Sequence, residues 1–375
     1  MMTAKSNNPT SVKDRTVRAF TDVKASPFSG VKALANRYLD FSRNHTPLQI
    51  SNYVIRKVVP CNSTYLMYRP TKLVMRITSD CNQKCNFCFW KSSKIAAEAF
   101  KFPDMSFNDF VNVTERYREA ISLHLSGGEP FLHKNFFKMV EYAHSKKMYV
   151  SASTNGVELD DNIDELCRSH LGGINVSVDA DNPNEYQKMH GSSRNTFYRV
   201  INNVSEVAAR KKRVMSKLHL SISYICCKDN YGKIPDMIDL ARDLGVDELE
   251  FHNLMSFDLP GFPEEKALYE DDSEVSEVIR SVRTTSSNLR VKLPPLLTRD
   301  VRRRLCTMPF TTLTVHGDGR YYVCCNTLSQ KWFGNAMNES DVWNGIHFQR
   351  IRRILKDDSV PLPEMCRVCP NRSGP

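Results

Sequence analysis

Three cysteines stand close together in the run CNQKCNFC, at Cys81, Cys85 and Cys88. Three residues and then two separate the thiols, so one short loop can aim all three sulfurs at a single point. Thiolates are soft ligands that suit zinc or an iron-sulfur cluster. A closed zinc site needs a fourth ligand, and His124 or His133 is available for it. Three thiolates on an iron-sulfur cube instead leave one iron open to a small molecule.

The apolar run LVMRIT at 73–78 reads as a strand feeding directly into that loop. Strand, spacing and the motifs that follow resemble the radical S-adenosylmethionine (radical SAM) family. The resemblance implies that Cys81, Cys85 and Cys88 hold a 4Fe-4S cluster whose fourth iron is chelated by S-adenosylmethionine, with Phe87 beside the cluster and the adenine. It also implies an electron donor such as a flavodoxin or ferredoxin, and reductive cleavage of the cofactor to a 5′-deoxyadenosyl radical.

Ser126-Gly127-Gly128-Glu129-Pro130 follows the strand ISLHLS, and its two glycines let backbone approach a ligand closely. In place it resembles the family's methionine-binding motif, which implies that backbone carbonyls and the Glu129 carboxylate receive the cofactor's ammonium. Thr154, Asn155 and Gly156 close the next strand, either as a plain turn or facing the cofactor. In NVSVDA at 175–180, strand alternation puts Ser177 and Asp179 on one face. Polar side chains there need partners, which ribose hydroxyls or the methionine carboxylate could supply. Ser177 is by similarity the cofactor contact, while Asp179 could equally face substrate. Arg194 could pair with a carboxylate or lie on the surface. Asn253 ends a sixth strand, where the family often places an adenine contact.

A second cysteine unit follows. Cys306 precedes PFTTLTVHGDGRYYVCC, whose Asp318-Gly319 turn marks a hairpin and puts Cys324 on the returning strand. Beyond Gly334, Asn335, Trp343 and Asn344 comes Cys366-Arg367-Val368-Cys369. This order resembles a shortened SPASM-type extension, and implies that Cys306, Cys324, Cys366 and Cys369 ligate one auxiliary 4Fe-4S cluster serving electron transfer. Cys325 is adjacent to Cys324 and points to the opposite strand face. It can be a buried apolar residue, a ligand in place of Cys324, or a catalytic thiol that returns a hydrogen atom to a substrate radical. Cys61, Cys167, Cys226 and Cys227 have no usable spacing and read as structural.

These groups need elements to carry them. Short apolar runs alternate with helical stretches from 72 to 254, with strands expected at 73–78, 121–126, 147–153, 174–179, 217–225 and 248–253. Helices are expected between them at 106–119, 134–145, 160–169, 195–211 and 231–243. The repeat stops at six, so the fold class is α/β, a partial (βα)6 TIM-like barrel with a small C-terminal iron-sulfur domain. The expected divisions are a flexible basic tail over 1–28, a helical segment over 29–70 and the barrel over 71–255. A linker with an acidic helix and the short strand LRVKL spans 256–305, and the auxiliary-cluster domain spans 306–375.

An apolar content of 41% over 375 residues supports a packed interior. There is no membrane-length apolar run and no secretory h-region, and twelve cysteines without a signal suggest metal or redox centres in a reducing cytoplasm. Net charge of +10 favours anionic partners, although Arg299, Arg302, Arg303 and Arg304 read as a solvated helix end.

The expected function is a radical SAM oxidoreductase or epimerase. Its substrate is expected to be a small polar or anionic, sugar- or aminocyclitol-like molecule that undergoes dehydrogenation or epimerisation. The alternative is a maturase that oxidises or crosslinks a ribosomal peptide, for which a leader-binding module in residues 1–70 would argue. A non-enzymatic iron-sulfur or zinc protein binding RNA leaves Glu129 and Ser177 unexplained, and no basic stripe interleaved with aromatics supports nucleic acid.

Overall fold

The structure, a computed structural model, describes residues 41–58, 63–88, 98, 100–255, 263–283, 289–300, 306–324 and 334–372. The expected tail over 1–28, Cys61, Arg302, Arg303, Arg304 and Cys325 lie outside the described residues.

After helix α1 (Pro47–Val58) the chain runs β1 (Lys72–Thr78), α2 (Phe107–Arg116), β2 (Ser122–Gly127), α3 (Phe136–Ser145), β3 (Tyr149–Thr154), α4 (Ile163–Arg168) and β4 (Gly173–Ser177). It continues as α5 (Pro183–His190), α6 (Arg194–Arg213), β5 (His219–Cys226), α7 (Ile234–Leu244) and β6 (Glu248–Asn253). The last third contributes α8 (Ser273–Arg283), β7 (Arg290–Lys292), β8 (Thr312–His316), β9 (Tyr321–Tyr322) and α9 (Ile346–Lys356). No described helix is long and apolar enough to cross a membrane.

The expected repeat is present, and the sheet is larger than six strands. Among the described residues it has nine, ordered β7-β6-β5-β4-β3-β2-β1-β8-β9. β7 lies parallel to β6, and β8 lies parallel to β1, matching Lys72 with Thr312 through Arg76 with His316. β9 turns back antiparallel on β8 through the Asp318-Gly319 hairpin, where Gly319 holds φ +83. The C-terminal unit is therefore a continuation of the barrel sheet.

Strand alternation divides the sheet into two chemistries. Leu123, Leu125, Val150, Ala152, Ile174, Val176, Leu220 and Ile222 are buried in one hydrophobic core with Phe110, Met139, Leu166, Val204 and Met237 from the helices. The opposite face carries His124, Ser126, Ser151, Ser153, Asn175, Ser177, Ser221 and Ser223, several bonded across strands. Ser151 and Ser153 hold the two nitrogens of His124 at 2.9 and 3.1 Å, and Asn175 Nδ2 donates to Ser221 Oγ at 2.9 Å. The sheet thus shows an apolar back to its helices and a polar front to whatever it binds.

Side chains clamp the C-terminal segment to the barrel. Arg116 on α2 donates to the carbonyls of Ala336, Met337 and Glu339. Trp343 Nε1 donates to Tyr68 O at 2.8 Å, and Asn344 brackets the backbone of Leu66. Arg352, wholly buried on α9, donates to Pro309 O and Thr64 O and lies 4.5 Å over the Trp343 ring.

Candidate active site

The cysteine loop leaves the C-terminal end of β1, where chemistry sits in barrels of this kind. A turn closes it, with Cys88 N donating to Cys85 O at 3.3 Å. Cys81 is exposed, while Cys85 and Cys88 are half-buried. Desolvation, with Glu129 and Cys88 nearby, pushes the Cys81 thiol up. Forming its thiolate therefore relies on the charge of whatever it ligates. Among the described residues, no three histidine, cysteine or acidic side chains are gathered into a preformed metal cage. This applies to Cys81, Cys85 and Cys88 as to Cys306, Cys324, Cys366 and Cys369. Neither histidine named for a zinc site is turned toward the cysteines: His124 is held by two serines, and His133 donates from Nε2 to Met105 O and accepts at Nδ1 from Asn135 N. Three soft donors on one loop fit a cluster with an open iron.

The glycine loop is built onto the cysteine loop. Gly127 holds φ +141, Gly128 N donates to Thr78 O at 2.8 Å, and Glu129 N donates to Asp80 O at 2.7 Å. A Cβ on Gly127 would stand 2.2 Å from Thr78 O, and one on Gly128 would stand 2.1 Å from Asp80 O. The close approach that these glycines permit is to the chain's own backbone. Pro130 is buried at the start of the following turn.

Glu129 is wholly buried, and its carboxylate accepts from Phe131 N at 3.1 Å, Thr154 Oγ1 at 2.8 Å and Asn155 N at 2.7 Å. Burial nevertheless raises it to about 7. With three donors already on it, Glu129 fixes the loops after β2 and β3, and Oε2, which takes a single donor, keeps one position open for an ammonium. Thr154 and Asn155 are buried with it, and Asn155 Nδ2 reaches Asn82 Oδ1 at 2.6 Å and Cys81 Sγ at 3.9 Å.

The remaining expected contacts separate. Ser177 ends β4 on the polar front, in register with Ser223. Asp179 does not share its face, because β4 stops at Ser177 and Asp179 takes the left-handed φ of +53. Its Oδ1 accepts from Ile225 N at 2.9 Å, its Oδ2 lies 3.5 Å from His190 Nε2, and burial raises it to about 7. Asn253 spends its amide on Leu268 N, Leu268 O and Pro295 O, pinning the chain beyond β6, so it offers an adenine no free edge. Arg194 is exposed in the first turn of α6, the surface position. Phe87 is half-buried, its ring edge-on to His190 at 5.3 Å. The Cys324 thiol follows β9, and Cys369 is buried.

His190 and Gln83 escaped the sequence reading, although Pro183 and Gly191 bracket PNEYQKMH with recognisable helix start and stop residues. His190 is wholly buried, with Nδ1 3.3 Å from Cys85 Sγ. Gln83 Nε2 donates to Tyr186 OH at 2.7 Å.

The chain resembles known proteins in sequence and in fold. The family model for the radical SAM superfamily matches residues 75–241, and that for the SPASM iron-sulfur cluster-binding domain matches 306–370. A PqqA peptide cyclase of Xanthomonas campestris is 26% identical over 318 residues, covering 81% of this chain and 80% of its own. A tungsten-containing aldehyde ferredoxin oxidoreductase cofactor-modifying protein of Pyrococcus furiosus is 24% identical over 332 residues, covering 79% and 87%. Among solved structures, SuiB of Streptococcus suis superposes with a TM-score of 0.60 at 15% identity, covering 96% of this chain and 80% of that one.

Proposed function

Because the chain belongs to the radical SAM superfamily and ends in a SPASM iron-sulfur domain, we propose that it is a maturase that oxidises or crosslinks side chains of a peptide substrate. The observation that carries this reading is the relationship to a peptide cyclase over 81% of the chain. That relationship favours a peptide over the small sugar or aminocyclitol expected from the sequence.

The enzyme's cofactors are 4Fe-4S clusters and S-adenosylmethionine. When bound, they supply one electron and a 5′-deoxyadenosyl radical that removes a hydrogen atom from substrate. Cys81, Cys85 and Cys88 hold the first cluster, and Cys306, Cys324, Cys366 and Cys369 the auxiliary one. The loop from Gly127 to Pro130, buttressed by Glu129, Thr154 and Asn155, shapes the cofactor seat beside the cysteines. Ser177 and Ser223 lie on the polar front below it and supply hydroxyls for the ribose or carboxylate. His124, Ser151, Ser153 and Asn175 continue that front toward the barrel floor and orient polar substrate groups. The apolar back of the sheet keeps water out from the other side.

The test is anaerobic reconstitution, reduction with dithionite and addition of S-adenosylmethionine, with either a random-sequence peptide mixture or a set of monosaccharides and aminocyclitols. Peptides are expected to stimulate 5′-deoxyadenosine formation and to lose two hydrogens by mass. Stimulation and product from the sugars alone would overturn the peptide reading.

A further inference from the structure

The cysteine loop rests on one side chain that the catalytic reading leaves unused. His190 is the last residue of α5, completely shielded from solvent. Its imidazole stacks on Tyr186, with ring centroids 4.2 Å apart and planes 14° from parallel, and meets Phe87 edge-on. On one edge, Nδ1 lies 3.3 Å from Cys85 Sγ and 3.0 Å from Gln83 Oε1. On the other, Nε2 lies 3.2 Å from Val178 O and 3.5 Å from Asp179 Oδ2.

The backbone makes this contact durable. Asn86 N donates to Met189 O at 2.8 Å and Asn86 Nδ2 to Lys188 O at 2.7 Å, so the cysteine loop is sewn to the end of α5. Gly191 caps that helix at φ +61, where a Cβ would come 2.7 Å from Lys84 O. Asp179 is itself held by Ile225 N at 2.9 Å. The ring has little room to turn away from the sulfur.

We propose that His190 is a positioning residue that sets the reduction potential of the cluster on Cys81, Cys85 and Cys88, by donating an N–H hydrogen bond to the Cys85 sulfur. The inference rests on the reading that these three cysteines ligate the cluster. As a cluster ligand, Cys85 is a thiolate and can only accept. Gln83 is fixed with its oxygen toward the ring, because its Nε2 donates to Tyr186 OH, and an acceptor 3.0 Å from Nδ1 places a proton on that nitrogen. That proton is shared between Gln83 Oε1 at 3.0 Å and the Cys85 sulfur at 3.3 Å. Hydrogen bonds to cluster sulfurs favour the reduced, more negative state and raise its potential. The reaction needs that electron, so the bond eases the first step without touching substrate.

Two measurements test this on the full-length protein reconstituted with iron and sulfide. In the first, the cluster's midpoint potential is determined by EPR-monitored titration, using the signal that disappears in Cys85→Ala. His190→Phe keeps a ring on Tyr186 but has no N–H. It is expected to load the same iron and to show a roughly tenfold lower reduced-to-oxidised ratio at fixed solution potential, about 59 mV for a one-electron couple. His190→Gln, which retains an N–H donor, should recover most of the shift. Unchanged midpoints in both variants at full iron content would overturn the proposal while leaving the cluster reading intact. The second measurement needs no substitution: pulsed EPR of the reduced protein labelled with 15N-histidine should reveal weak coupling to a non-ligating nitrogen. Absence of that coupling would also overturn it. If the wild-type signal survived Cys85→Ala, the cluster assignment would fall first and the inference with it.

Discussion

Glu129 accepts three hydrogen bonds while wholly shielded from solvent, and two of the donors are backbone amides that cannot turn away. Glu129→Gln sets an NH2 group against one of those donors. It is expected to cost about 1–3 kcal/mol in denaturant unfolding and to weaken S-adenosylmethionine binding at least tenfold by equilibrium dialysis. A stable variant with unchanged affinity would show that the loop tolerates losing its clamp. His124 offers a pH signature. Enclosure in the barrel, with Lys72 nearby, lowers it to about 3. The unfolded ring takes up a proton near pH 6.5. Between those values the unfolded state binds more protons, so stability is full above the unfolded pKa and falls as pH drops through the window. His124→Asn should flatten the decline in urea midpoint between pH 6.5 and 4, and an identical decline would refute the assignment. At this scale the sequence displayed the ligands, because cysteine spacing is local, but not their supports. His190 meets Cys85 across 105 residues, a distance over which no spacing rule operates.

The glycine loop and the cysteine loop form one piece, and its weak point is Gly128. A methyl group there meets a backbone carbonyl at 2.1 Å, not a flexible side chain. Gly128→Ala is expected to destabilise the fold by about 2 kcal/mol or more and to deplete iron at the three-cysteine loop. Iron quantitation and urea unfolding on one preparation would check both, and normal iron with normal stability would contradict the docking described here. The elements themselves were largely legible. Each of the six strands expected from apolar alternation is present with its ends within two residues of the expected ones. The end of β4 was misread because aspartate tolerates the left-handed backbone that turns Asp179 off the strand's face. Helix α5 was passed over although its proline and glycine punctuation were visible.

Over the whole molecule, the C-terminal unit is held by buried polar contacts, Arg352 foremost. Arg352→Leu removes the donors to Pro309 O and Thr64 O, leaving those carbonyls to find new partners. A loss of about 3 kcal/mol or more is expected, with faster hydrogen exchange in α9 and in residues 63–68. Unaltered exchange there would mean that the cluster domain is held by something else. The tryptophan-asparagine element seen in the sequence proves to be docking hardware, through Trp343 on Tyr68 and Asn344 on Leu66, whereas Asn335 of the glycine-asparagine element holds the Asp318 carbonyl within the C-terminal unit itself. What could not be read was that β8 joins the barrel beside β1, since that pairing spans 240 residues and leaves no periodic trace. The two cysteine sets are consequently placed along one strand pair. Cys81 follows the C-terminal end of β1, while Cys306 precedes the N-terminal end of β8, so about 20 Å of strand separates the levels at which they leave the sheet.

The β1–β8 pairing also bears on how the protein is made. As the chain emerges from the ribosome, β1 can find β2 almost at once, but its other side has no neighbour until residues 312–316 follow. At roughly 5–20 residues per second, that wait is on the order of ten to fifty seconds. Throughout it, a row of unsatisfied amides and carbonyls flanked by Leu73, Met75 and Ile77 lies open to any other nascent strand. Chaperone demand during synthesis should therefore be set by the late arrival of β8, and ribosome-bound chains stalled before residue 312 should aggregate more readily than chains released after residue 316.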